Sequence, residues 1–203
     1  MVWVTPLVKV EAPLQAKGIL LQAGTNRYIL CALDWCLMAN DTQASFRRAL
    51  ARGADTLAER VAVQCIHQHA APYADEGANR LLDGLHPPVA HLSESFLDSV
   101  RTRLAEAAEQ AVHDLEPFDQ LGIGQAKVER VASERRLHGR NGRIITRFSG
   151  AAKGPAIAAA PERHIDLYLK TLTFARAGTP LVRLHFYATH PQTFCCDGRA
   201  SCD

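Results

Sequence analysis

Runs of apolar residues alternate along this chain with stretches whose apolar positions recur at three and four. "AKGILLQ" and "NRYILCALDW" flank the turn signal "AGTN" and are predicted to form a hairpin of two strands joined through Gly24 and Asn26. "TQASFRRALARGA" places Phe46 and Leu50 on one face, with Asp41 positioned to cap and Gly53 to close, and so reads as a helix. "RVAVQCIHQH" is nearly continuous in apolar residues up to its histidines, the pattern of a strand covered on both faces.

A long amphipathic helix is predicted in "SESFLDSVRTRLAEAAEQAVHDL", with Phe96, Val100, Leu104, Ala108, Ala111 and Leu115 as its apolar stripe and Pro117 just beyond its end. Its expected role is packing against the sheet. "LGIGQAKVERV" reads as a further strand; its G-x-G lacks the third glycine and following helix of a phosphate loop. From Gly139 to Pro161 the composition turns to Gly, Ala, Arg and Pro, as in a surface excursion, where function often resides. "DLYLKTLTFARAGTPLVRLHFYATHP" predicts two strands around the turn "RAGTP", the second ending at His190-Pro191. The expected fold is α/β: a mixed, mostly buried sheet with flanking helices, in one domain over residues 1–203, with a metal site at strand ends.

Composition narrows the partners. The chain has 203 residues, 47% hydrophobic and 22% charged, enough to bury a core. Lys+Arg 23 against Asp+Glu 21 gives a formal +2, and basic residues pair only as Arg47-Arg48 and Arg135-Arg136, so no nucleic-acid-binding surface is announced. The apolar stretches, such as "YILCALDWCLMA", fall well short of the roughly 20 residues of a transmembrane helix. "MVWVTPLVKV" has no basic start, apolar run or small-residue cleavage site, so no signal peptide is read and the chain looks cytoplasmic as it stands. Oligomeric state is not encoded in any visible motif.

Of the six cysteines, Cys31, Cys36 and Cys65 fall in apolar segments and read as small core hydrophobes. Cys195, Cys196 and Cys202 cluster in "TFCCDGRASCD" without the C-x-x-C pairs of a zinc site, and read as loop thiols.

The histidines carry more. On a strand, His67 and His69 would point to one face with Cα atoms about 6.6 Å apart, from a rise of about 3.3 Å per residue. Imidazoles so placed can converge on one metal ion, or can simply line a polar pocket. Position favours the metal: "HQHAAP" ends one apolar strand and His190-Pro191 another, and ligands of α/β sheets bind where strands run out into loops. Neutral imidazoles from His67, His69 and His190 suit zinc and leave a place for water. His86, His91, His113, His138 and His164 fall on loops or helix surfaces, and His185 faces away from His190 on a shared strand. Zinc can lower the pKa of bound water to about 7 and polarise a carbonyl; no G-x-S-x-G nucleophile is present. Asp34 and Asp75 could orient imidazole N–H groups, and Asp34 reads equally well as a strand-end cap.

In order, "PLQAKGILLQAGTNRYILCALDW", "VQCIHQHAAP", "RNGRI", "IDLYLKTLTF" and "VRLHFYATHPQTF" resemble the N-terminal part of the neutral/alkaline, non-lysosomal ceramidase family, especially divergent bacterial ceramidase-like members. The resemblance spans Pro13 to Asp203. It implies a zinc-dependent hydrolase of linear amides, ceramide-like N-acyl compounds of sphingolipid metabolism, with His67, His69 and His190 as metal ligands. Arg143 of "NGR" corresponds loosely to an arginine near the substrate. Ala70 and Ala71 replace the serine and glycine of the family's "HTHSGP". Family members are much longer, and a glutamate and a tyrosine that complete their zinc site come from regions past the point matched by Asp203. The resemblance therefore implies that this chain is a fragment with an incomplete site. A truncated, non-catalytic metal-binding module is the alternative.

Overall fold

In the computed structural model the described residues are all but 1–5, 88, 90, 140, 148–153, 161–163, 192–196 and 203. The chain has a mixed α/β fold and forms two compact units, Met1–Glu116 with Pro191–Asp203, and Pro117–His190.

In the first unit, β2 (Ala16–Ala23) and β3 (Asn26–Leu33) form the predicted antiparallel hairpin, and β3 pairs in parallel with β5 (Val61–Cys65), giving the order β2-β3-β5. Parallel neighbours need a crossover. Helix α1 (Asn40–Gly53) supplies it. The short strands β4 (Leu37–Met38) and β6 (Tyr73–Ala74) pair with each other in parallel, and β1 (Lys9–Val10) pairs with β12 (Arg199–Ala200). Helix α2 (Glu76–Leu82) is capped by Asp75, whose Oδ1 accepts from Ala78 N–H at 3.1 Å. Helix α3 (Glu94–His113) begins at Ser93, whose hydroxyl accepts from Phe96 N–H.

The register explains the core. Ile29 lies beside Val61, and Cys31 beside Val63, on one face of the sheet, and all four are buried with Leu33, Trp35, Phe46, Leu50, Leu97 and Leu104. The intervening Ala62 and Gln64 are exposed, so strand 61–65 buries one face rather than the two that its apolar run suggested. Burial of Cys31 and Cys65 pushes both thiols up to about 11, which agrees with their reading as core residues.

Two helix details differ from expectation. The α1 cap position is Ala39, with no side-chain bond, and Asp41 sits in the first turn, where its charge complements the helix dipole. Gly53 is the last residue of α1, and its role is closeness: a Cβ there would stand 2.0 Å from the carbonyl oxygen of Ala105 on α3. The buried stripe of α3 is Leu97, Leu104 and Ala108 with partly buried Val100. Phe96 is displaced to the flank, 44% exposed, its ring stacked on Trp35 at 6.3 Å.

In the second unit, β7 (Gln120–Lys127), β10 (Tyr168–Arg176) and β11 (Thr179–Phe186) form an antiparallel sheet in the order β11-β10-β7. Ala177 and Gly178, both at positive φ, make the two-residue turn that joins β10 to β11. The G-x-G of Gly122 and Gly124 lies within β7, on extended backbone. The predicted surface excursion contains part of the hairpin β8 (Arg136–His138) and β9 (Ile144–Thr146), and the one-turn helix α4 (Pro155–Ala158). Among the described residues, no helix is long and apolar enough to cross a membrane.

Candidate metal centre

Because β3 and β5 are parallel and in register at Leu33 and Cys65, the segments that leave them emerge at the same edge. Asp34-Trp35-Cys36 follows one strand and Ile66-His67-Gln68-His69 the other. Backbone bonds hold them together: Ile66 N–H donates to Leu33 O at 3.0 Å, and His67 N–H to Trp35 O at 3.1 Å.

The strand ends at Cys65, two residues before the first histidine, and His67 adopts a left-handed backbone conformation, φ 66°. The alternation expected for a strand therefore does not apply to the H-x-H pair. A turn brings the rings together instead. Gln68 is buried, and its side-chain oxygen accepts from Ala70 N–H at 3.1 Å. His69 N–H donates to Pro191 O at 3.2 Å, and Ser201 N–H to Ala70 O at 2.9 Å. Ala70 is itself buried, 2% exposed, which favours a small side chain there.

The His67 and His69 rings meet edge to face with Nε2 atoms 3.2 Å apart. Nδ1 of His67 lies 3.0 Å from the Cys36 carbonyl oxygen and 3.8 Å from the Cys36 sulfur. A proton on Nδ1 satisfies that carbonyl and puts the ring's lone pair on Nε2, facing Nε2 of His69, the arrangement by which metal-binding histidines are usually oriented. Cys36, His67 and His69 thus form a group whose ligand atoms lie within 4.8 Å of one another and could hold a metal ion. The donors fit zinc. With bonds of about 2.0 to 2.1 Å and a tetrahedral angle, two nitrogens on one ion stand about 3.3 Å apart, close to the observed Nε2 separation.

Its apolar flanks predict Cys36 as a core residue. It is buried, but it sits in the loop after β3, where its carbonyl and sulfur both face His67. The available signal was the β3-α1-β5 pattern: a parallel pair puts residues just past both strands at one edge. The carboxylates proposed for the orienting role have local partners. Asp34, buried, accepts from Gln15 N–H through Oδ2 at 2.9 Å, as a strand-end cap, and Asp75 caps α2.

His190 is exposed and lies four residues past the end of β11, so it does not share a strand with His185. It belongs to the second unit and Pro191 to the first. His185 is bonded through Nδ1 to Thr171 Oγ1 at 2.9 Å. Arg143 is exposed in the β8–β9 turn, where its N–H donates to Asn141 Oδ1 and its carbonyl accepts from Gly139 N–H. Cys202 is a free, partly buried thiol; Cys195 and Cys196 lie outside the described residues.

A groove of about 460 Å³ opens beside His67 and Cys36, lined also by Leu37, Met38, Gln43 and Gln64. That is within the size range of small-molecule sites. Burial first, and then the nearby Cys36 side chain, push the phenol of Tyr73 on β6 up.

Fold and site together define a mixed α/β protein with a cysteine-histidine group, capable of holding a metal, at the edge of a parallel strand pair. No protein-family model matches the chain, and no curated protein matches it. Among solved structures it is similar to one described as a ceramidase complexed with C2, at 18% identity and a TM-score of 0.49, over 87% of this chain and 25% of that one. The chain spans about a quarter of the length of that structure's chain.

Proposed function

We propose that the chain is the metal-binding part of a zinc-dependent hydrolase that cleaves linear amides of the ceramide-like N-acyl type. The observation that carries this reading is the pair of His67 and His69 Nε2 atoms, 3.2 Å apart beside a groove of about 460 Å³. The ordered motif H-x-H-x-x-P with the distant His190-Pro191 supports it through the family resemblance, which also offers His190 as a further ligand and Arg143 as a residue that contacts substrate.

When bound, zinc would polarise the amide carbonyl and make hydroxide available near neutrality. The chain's own residues do the rest. His67 and His69 offer Nε2 donors, the Cys36 carbonyl holds the His67 ring in place, and the groove admits the acyl amide. The resemblance further implies that a glutamate and a tyrosine, supplied from outside these 203 residues, complete the site.

The test is zinc loading followed by assay against a panel of N-acyl amides that includes ceramide. We expect one equivalent of zinc and weak turnover, lost on chelation and in His67→Ala, and raised when the chain is extended to the family's catalytic length. Stoichiometric zinc with no turnover by either form would overturn the hydrolase and leave a non-catalytic metal-binding module.

A further inference from the structure

We propose that Cys36 is itself a ligand of this centre: its thiolate joins Nε2 of His67 and Nε2 of His69, making the site selective for a borderline-to-soft divalent cation. The inference rests on the reading that the two histidines hold a metal, and it changes what that metal is. Cys36 is 3% exposed, its sulfur lies 3.8 Å from Nδ1 of His67, and one ligand atom from each of Cys36, His67 and His69 lies within 4.8 Å of the others. A core thiol would need only apolar neighbours. This one faces an imidazole and lines the same groove.

One residue then has two distinct roles. Its backbone carbonyl accepts from Nδ1–H of His67, which leaves the Nε2 lone pair directed at Nε2 of His69, while its side chain supplies sulfur. On metal uptake the S–H bond breaks, its proton passes to solvent, and the electron pair left on sulfur forms the metal–sulfur bond. Thiolate and imidazole donors favour zinc, cobalt or cadmium over magnesium, calcium or manganese, which prefer oxygen. A thiolate also lowers the net charge at the metal by one, which weakens its pull on a bound carbonyl. With Cys36, His67 and His69 bound, a zinc ion of four or five ligands has one or two places left, too few for His190, a glutamate and a tyrosine together.

Cobalt(II) titration of the full 203-residue chain tests this. We expect a sulfur-to-cobalt charge-transfer band in the near ultraviolet that persists in Cys65→Ala and disappears in Cys36→Ser and Cys36→Ala. Cobalt affinity in the Cys36 variants falls at least about 100-fold, because loss of a direct ligand exceeds the effect of losing an outer-shell partner. Both variants keep the carbonyl that orients His67, so the loss reports sulfur alone. A band that survives Cys36→Ala, or an affinity changed less than threefold, overturns the assignment while the histidine centre stands. No cobalt uptake by the native chain, or uptake indifferent to His67→Ala, overturns the histidine centre itself. Should the Cys36 variants fail to fold, X-ray absorption of the zinc-loaded native chain reads the shell directly: sulfur at about 2.3 Å supports the proposal, and a shell of nitrogen and oxygen alone refutes it.

Discussion

The chain contains two three-stranded sheets whose strands look alike in sequence and fare differently in structure. In β3 and β5 the residues Ile29, Cys31, Leu33, Val61 and Val63 are buried, and α1 and α3 contribute Phe46, Leu50, Leu97 and Leu104 to the same cluster. In β7 every residue is exposed, Ile123 to 87%, although Leu121 and Ile123 alternate as regularly as the residues of β3. The difference lies in the connections. The β3–β5 crossover is a 14-residue helix with a buried face, whereas the described residues between β7 and β10 form a hairpin of three-residue strands and a four-residue helix. An alternating strand exposes an apolar face; only a second layer of sufficient length can remove it from water.

The largest expected contrast concerns the histidines carried at the ends of these two sheets. His67→Ala and His69→Ala are each expected to abolish zinc uptake, whereas His185→Ala, whose ring is bonded to Thr171 on the exposed sheet, leaves it nearly intact. Elemental analysis of dialysed protein reads this directly, and equal loss in all three variants would break the distinction between the sites.

Stability should divide the sheets in the same way. Phe46→Ala removes a side chain with 0% exposure and is expected to cost about 3 to 5 kcal/mol. Ile123→Ala, on the exposed face, is expected to stay within about 0.5 kcal/mol. Urea denaturation monitored by far-ultraviolet circular dichroism compares them, and a cost at Ile123 approaching that at Phe46 would show that the second sheet is covered in solution.

A smaller effect comes from the thiol of Cys31, which burial pushes up to about 11. An unfolded chain releases that proton near 8.5. Between these values the folded state binds the proton and the unfolded state does not, so raising the pH favours unfolding. The contribution is fully present below about 8.5 and declines towards 11, by roughly 3 kcal/mol in all. Cys31→Ala should flatten that part of the stability profile, measured as denaturation midpoints at pH 8 and pH 10.5. An unchanged slope would mean that the thiol is less buried than its neighbours on the first sheet.

The smallest change is at the start of α3. Ser93→Ala removes the hydroxyl that accepts from Phe96 N–H and is expected to cost about 1 kcal/mol. Thermal melting would detect it, and because α3 helps to cover the first sheet, a null result would separate helix capping from core stability.

Periodicity made the secondary structure legible because it is a local property. The β2–β3 hairpin, α1, α3, β7 and the β10–β11 hairpin all lie where apolar spacing and turn residues place them. Ser93 is the residue type that caps a helix, and Gly178 the type that turns a hairpin. The H-x-H pair was legible as a candidate donor set for the same reason, since its chemistry is written in two positions one residue apart.

Tertiary structure decided what adjacency cannot. Parallel pairing of β3 with β5 brings Cys36 to His67 across 31 positions of sequence, and no local pattern distinguishes that cysteine from Cys31. The turn after Cys65, with His67 at φ 66°, sets the two rings edge to face, where a continued strand would have held them parallel on one side. Gly53 ends a helix by sequence, yet its necessity comes from Ala105, 52 positions later. The amino-acid order specified which segments become helix or strand and which side chains can bind metal. The folded chain chose the partners of those side chains, because contact between distant residues follows from sheet register and helix packing.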